Sequence, residues 1–221
     1  MNNFVISEVN DFEKKLSGYT YLLNFRYMNL CVKANPVALL PVSVLVADEE
    51  KEMEDVANVA QTDDFHLAVI PRQTELLKNI SQGVLGVHPE FKMEVMKLDE
   101  NDPKSDYLLF EMPVVDKDRR DFLNEAAKSL HKECKIRLDE LKVEEKEGFG
   151  ELFLSYPEDL KEANDAIDKK HREAVDNIDE LLEKKQKEIE EGYQHYLDSQ
   201  AEELQANAGI DVTSSMRLSD E

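Results

Sequence analysis

The chain has 221 residues, 41% hydrophobic and 34% charged, which allows one large or two small domains with a buried core and is too apolar for wholesale disorder. A formal net charge of −22 argues against indiscriminate nucleic-acid binding, which needs clustered Lys and Arg. No run of about 18 apolar residues could span a membrane, no secretory or Arg-rich targeting pattern is visible, and two cysteines, Cys31 and Cys134, make no disulfide framework, so a reducing, cytoplasmic address is expected.

From Phe4 to about Met28, the residues Ile6, Val9, Phe12, Leu16, Tyr19, Leu23 and Tyr27 recur at three- and four-residue steps and predict one apolar helix face. Pro36 and Pro41 bar its continuation. The β-branched run Val42–Ala47 predicts a strand, and Val56–Ala60 and Phe65–Ile70 predict two more around an Asp63-Asp64 turn. Gln73–Leu85 reads as a short helix closed by Gly86, with Pro89 beyond. Phe91–Leu98 and Tyr107–Glu111 complete a small α+β domain over 34–112.

After Pro113 the helical period returns, with Leu123, Ala127, Leu130, Cys134, Leu138 and Leu141 in one stripe. Gly148-Phe-Gly150 and Pro157 read as a reversal, after which Leu160, Ala163, Ile167, Ala174, Ile178, Leu181 and Ile189 form a near-heptad seam. Long helices with so much exposed charge need partners, and three such stripes suffice for a bundle. The fold class is therefore α+β: a long three-helix bundle (1–33 and 113–200) interrupted by an inserted domain (34–112). The seam weakens beyond Gly192, and 201–221 reads as a disordered acidic tail.

Charge is segregated along this plan. Residues 1–33 hold four basic and three acidic side chains, and 113–150 hold nine and ten. Segments 34–112 and 151–221 carry nearly all the negative excess, so an anion-binding face belongs on the first or second long helix. Lys128, Lys132, Lys135, Lys142 and Lys146 share one face of the second, interrupted by Asp139. They suit phosphate contact, but as residues they more readily read as a solvated face paired with Glu125, Glu133 and Glu145. His66, His88, His131, His171 and His195 show no metal spacing with one another or with either cysteine. Gly83 and Gly86 form no phosphate loop. No metal, cofactor or catalytic machinery is expected.

Five local patterns, in order, carry a family resemblance. They are Ala34-Asn-Pro36 with Leu39; Asp63 with Leu67 and Val69; Ile80 with Leu85-Gly-Val-His-Pro89; Pro113 with Arg119-Arg120 and Leu123; and Leu181-Leu-Glu-Lys-Lys-Gln-Lys-Glu-Ile189. In this arrangement the chain resembles the ribosome recycling factors. The resemblance implies an L-shaped, non-enzymatic and monomeric translation protein, which occupies the terminated ribosome. It would lay its bundle against large-subunit RNA and separate the subunits with the translocase elongation factor. It further implies RNA-binding roles for Arg119, Arg120, Lys128, Lys132, Lys135 and Lys142, and a hinge at Val32, Lys33, Ala34, Met112 and Pro113. The chain departs from the family where Val32 replaces a glycine, Asp139 and Lys142 replace arginines, and 71–79 is short. Those departures leave a second reading open: a relative that binds a protein partner through its acidic third helix and tail.

Overall fold

Periodic apolar positions fold as three long helices: α1 (Asn3–Asn29), α4 (Lys117–Leu152) and α5 (Pro157–Met216). The computed structural model describes residues 3–102, 105–152 and 155–216. The chain forms two compact units, one of Met1–Leu30 with Asp121–Glu188, the other of Cys31–Arg120 with Ile189–Glu221. The second encloses the expected inserted domain and adds both chain crossings, the start of α4 and the far part of α5.

In the first unit α1 buries Val5, Val9, Phe12, Leu16, Leu23 and Tyr27. Val5 takes the place expected for Ile6, which is 42% exposed, and Tyr19, also expected on the buried face, is exposed. The Tyr27 hydroxyl donates to the Ala127 carbonyl (3.2 Å), and burial pushes its phenol up to about 12. From α4 come Leu123, Ala127, Cys134, Leu138, Leu141 and Phe149, and from α5 Ala163, Ile167, Ala174 and Ile178. Two polar residues complete the α5 seam: His171, and Lys185 at 6% exposure, whose ammonium pairs with Glu188 (3.0 Å). Gly148 and Gly150 do not reverse the chain as expected. Each glycine costs a helix only about 1 kcal/mol, and buried Phe149 between them holds α4 to Leu152.

In the second unit a four-stranded antiparallel sheet has the order β3 (Ala57–Gln61), β4 (His66–Pro71), β6 (Asp106–Glu111), β5 (Lys92–Lys97). Helix α3 (Leu77–Val87) buries Ile80 and Val84 in a core shared with Leu67, Val69, Leu108 and Phe110. It ends at Val87 with His88 as its cap, so Gly86 is helical rather than the predicted terminator. A Cβ on Gly83 would meet the Ser43 carbonyl oxygen at 2.7 Å, so only glycine lets α3 come this close to β1 (Ser43–Val46). The single-turn helix α2 (Met53–Val56) occupies the start of the region predicted as strand from Val56.

A hairpin joins β1 to the unforeseen β2 (Glu49–Glu52). Its two loop residues, Ala47 (φ 50°) and Asp48 (φ 67°), both adopt the left-handed conformation that suits the twist of a two-residue hairpin. Alanine is strained there by about 1–2 kcal/mol. The double substitution Ala47→Asn, Asp48→Gly is expected to raise the unfolding free energy by about 1 kcal/mol, read as a higher urea midpoint at unchanged slope.

Helix α5 runs on to Met216, through most of the segment expected to be a tail; 217–221 lie outside the described residues. Among the described residues no helix is long and apolar enough to cross a membrane.

Candidate anion-binding face and chain crossings

Asp116 starts α4 by accepting the Arg119 backbone N–H on its carboxylate (2.8 Å), an N-cap that satisfies one of the helix's open donors. Arg119, expected on the RNA face, turns inward instead. Its Nη2 donates to the Cys31 carbonyl (3.0 Å). Burial lowers its pKa, against the opposing pull of the Glu90 carboxylate. Arg120 lies over the Tyr193 ring at 4.5 Å, a cation–π contact inside the second unit.

The lysines of α4 divide into two groups. Lys132 and Lys135 are exposed and form no ion pair among the described residues. Lys128 is exposed and pairs with Glu125 one turn earlier (2.9 Å). Lys142 and Lys146 both reach across to Asp168 on α5 (2.9 and 2.7 Å). Hydrogen bonds from Lys146 and then Lys142 hold the Asp168 carboxyl down at about 2.

Asp139 also faces α5, accepting from His171 Nε2 (2.8 Å), while eight residues earlier His131 Nε2 meets Asp179 (2.6 Å). The antiparallel helices thus carry reciprocal His–Asp pairs, each helix contributing one of each type eight positions apart. Sequence reasoning missed them because it weighed the histidines for metal spacing. The matching eight-residue intervals were the available signal. Among the described residues no group of three or more His, Cys, Asp or Glu could hold a metal ion.

The Asp168 bridge gives a prediction in two parts. A carboxyl whose pKa falls on folding stabilises the fold above its ordinary value of 3.8, and that contribution fades as pH falls toward about 2. Because Asp168 is 37% exposed, solvent screening limits its worth at neutral pH to under about 1 kcal/mol. Asp168→Asn should be that much less stable at pH 7, with the difference shrinking as pH falls below 3.8 and closing only below about 2. By releasing two lysines, it should also elute from immobilised heparin at higher salt.

The residues expected to form a hinge lie at the two crossings, inside the second unit. Val32, Ala34 and Met112 are buried, Pro113 is half-buried, and Lys33 is exposed and paired with Asp64 (3.3 Å). The β3–β4 turn binds both crossings: Ala34 N–H donates to the Asp64 carbonyl and Met112 N–H to the Phe65 carbonyl, each at 2.8 Å. The turn itself is tied by Asp63. Its carboxylate accepts from the backbone N–H groups of Phe65 (2.8 Å) and His66 (2.9 Å) and contacts His66 Nδ1 (2.8 Å). Those contacts, the Phe65 amide foremost, lower its pKa.

The family model described as ribosome recycling factor matches residues 24–189 of this chain. No curated protein matches it. Among solved structures, the chain is similar to the solution structure of a ribosome recycling factor, at 14% identity and a TM-score of 0.67, covering 86% of this chain and 100% of that one. A second similar structure belongs to models of the T. thermophilus ribosome recycling factor and the E. coli elongation factor G bound to the E. coli post-termination complex. There the identity is 22% and the TM-score 0.55, over 84% of this chain and 98% of that one. At these identities the likeness shows a shared fold.

Proposed function

Since the chain belongs to the ribosome recycling factor family, we propose that it binds the ribosome after termination and assists subunit separation together with the translocase elongation factor. The observation that carries this reading is the match over residues 24–189, which takes in the whole of α4 and the whole inserted sheet. The work required is mechanical: a stiff bundle fills a cavity and transmits force, with no bond made or broken. Lys132 and Lys135 are the cations best placed to meet RNA phosphate, since both are exposed and without an ion pair among the described residues. Lys128 can join them by exchanging Glu125 for a phosphate, at little cost for so exposed a pair. Arg120 would contribute from the start of the helix. Arg119 and Lys142, engaged inside the protein, are secondary.

Co-sedimentation with 70S-type ribosomes over a salt series tests the reading. Binding should weaken as salt rises, and Lys132→Glu with Lys135→Glu should lower both affinity and the salt slope, by about one to two phosphate equivalents. Absence of binding at low salt would reject it.

A second reading is favoured by α5 itself. Its far part exposes Leu197 and Leu204 (40% and 70%) beside Asp198 and Glu202. An acidic helix with exposed leucines suits a basic protein partner. Capture of such a partner by the full chain, insensitive to nuclease, together with no ribosome binding, would favour it over the first.

A further inference from the structure

We infer that the Asp63–Phe65 turn is a clasp fixing both chain crossings, and that Arg119 is the positioning residue that closes it onto α4. The hydrogen bonds and the chain form one closed circuit within the second unit. From Cys31 the chain runs to Ala34, whose N–H is held by Asp64. The adjacent Phe65 carbonyl holds the Met112 N–H. Four residues on, Asp116 caps α4 through the Arg119 amide, and the Arg119 side chain returns to the Cys31 carbonyl. The chain alone leaves two crossing segments, far apart in sequence, free to slide past one another. The circuit removes that freedom.

The chemistry of each link fits a permanent fastening. Asp63 has its carboxylate oxygens engaged by two backbone amides and an imidazole, so the turn is rigid before it meets either crossing. Val32, Ala34 and Met112 are buried in the same unit, and Lys33 adds an ion pair to Asp64. The guanidinium reaches Cys31 through Nη2 and feels the Glu90 carboxylate, while its Nε is buried without a hydrogen-bond partner. Arg119 acts through the fold and not as a phosphate ligand. The inference holds for the free protein and does not rest on ribosome binding.

Amide hydrogen exchange of the full chain, with Arg119→Ala, Arg119→Lys and the milder Glu90→Gln, tests the clasp. In both Arg119 variants the Ala34 and Met112 amides should exchange roughly tenfold faster, while Leu67 and Val69 on β4 keep their rates. Glu90→Gln should accelerate the same two amides less. Lysine retains the charge and should fail as alanine does, whereas a residue that served only as a phosphate ligand would leave both amides unchanged in the free protein under either substitution. Unchanged exchange at Ala34 and Met112, restoration by lysine, or equal acceleration throughout the second unit would each overturn the inference.

Discussion

Phe12→Ala is expected to lower the unfolding free energy of the bundle by about 3–5 kcal/mol. Phe12 is fully buried on α1 and ranks among the largest enclosed side chains. The sum of lost transfer energy and the cavity left behind sets the magnitude, because neighbours on well-packed helices collapse only partly into the space. Phe122 is the control. It is chemically identical, sits on α4 and is 67% exposed, so Phe122→Ala should shift stability by less than about 0.5 kcal/mol. Chemical unfolding of the two variants therefore reports whether α1 docks through its predicted face. Equal effects would mean that it does not.

Gly192→Val should destabilise by about 1–3 kcal/mol, even though valine is the better helix former. A Cβ at 192 would stand 2.6 Å from Val32 Cγ1 and 3.2 Å from Val115 Cγ2, both within the same unit. Gly192 leaves open the space that the Val32 side chain occupies. The small and large partners are exchangeable in principle. Val32→Gly alone should also destabilise, by opening a void beside a buried position, but the double variant should cost at least about 1 kcal/mol less than the two single effects added together. Additive effects in a double-mutant cycle would show that the two side chains do not share that space.

Much of this architecture was legible because helix faces announce themselves at a 3.6-residue period. Phe12, Leu16, Leu23, Leu138 and Ile167 all lie where that period puts them. Local rules failed where tertiary contacts outweighed them. Strand β2 is Glu-Glu-Lys-Glu, wholly exposed, and has no alternation to read. Its hairpin turns on Ala47-Asp48, without the glycine that marks such loops. Gly148 and Gly150 look like breakers until Phe149 between them is seen to be buried. His171 and Lys185 occupy apolar seam positions, where hydropathy alone would refuse them. On the charged face the obstacle was register. Whether Lys142 meets solvent or Asp168 depends on how two helices distant in sequence align. Likewise, nothing local to Arg119 tells that Cys31 offers it a carbonyl.

As a member of the ribosome recycling factor family, this chain is proposed to take part in separating ribosomal subunits. Light scattering of post-termination ribosomes mixed with this chain, the translocase elongation factor and GTP measures that step directly. Accelerated loss of 70S-type particles is expected, requiring both proteins and slowed by Lys132→Glu with Lys135→Glu. Particles that stay intact at saturating protein, with the charge-reversed variant behaving identically, would contradict it.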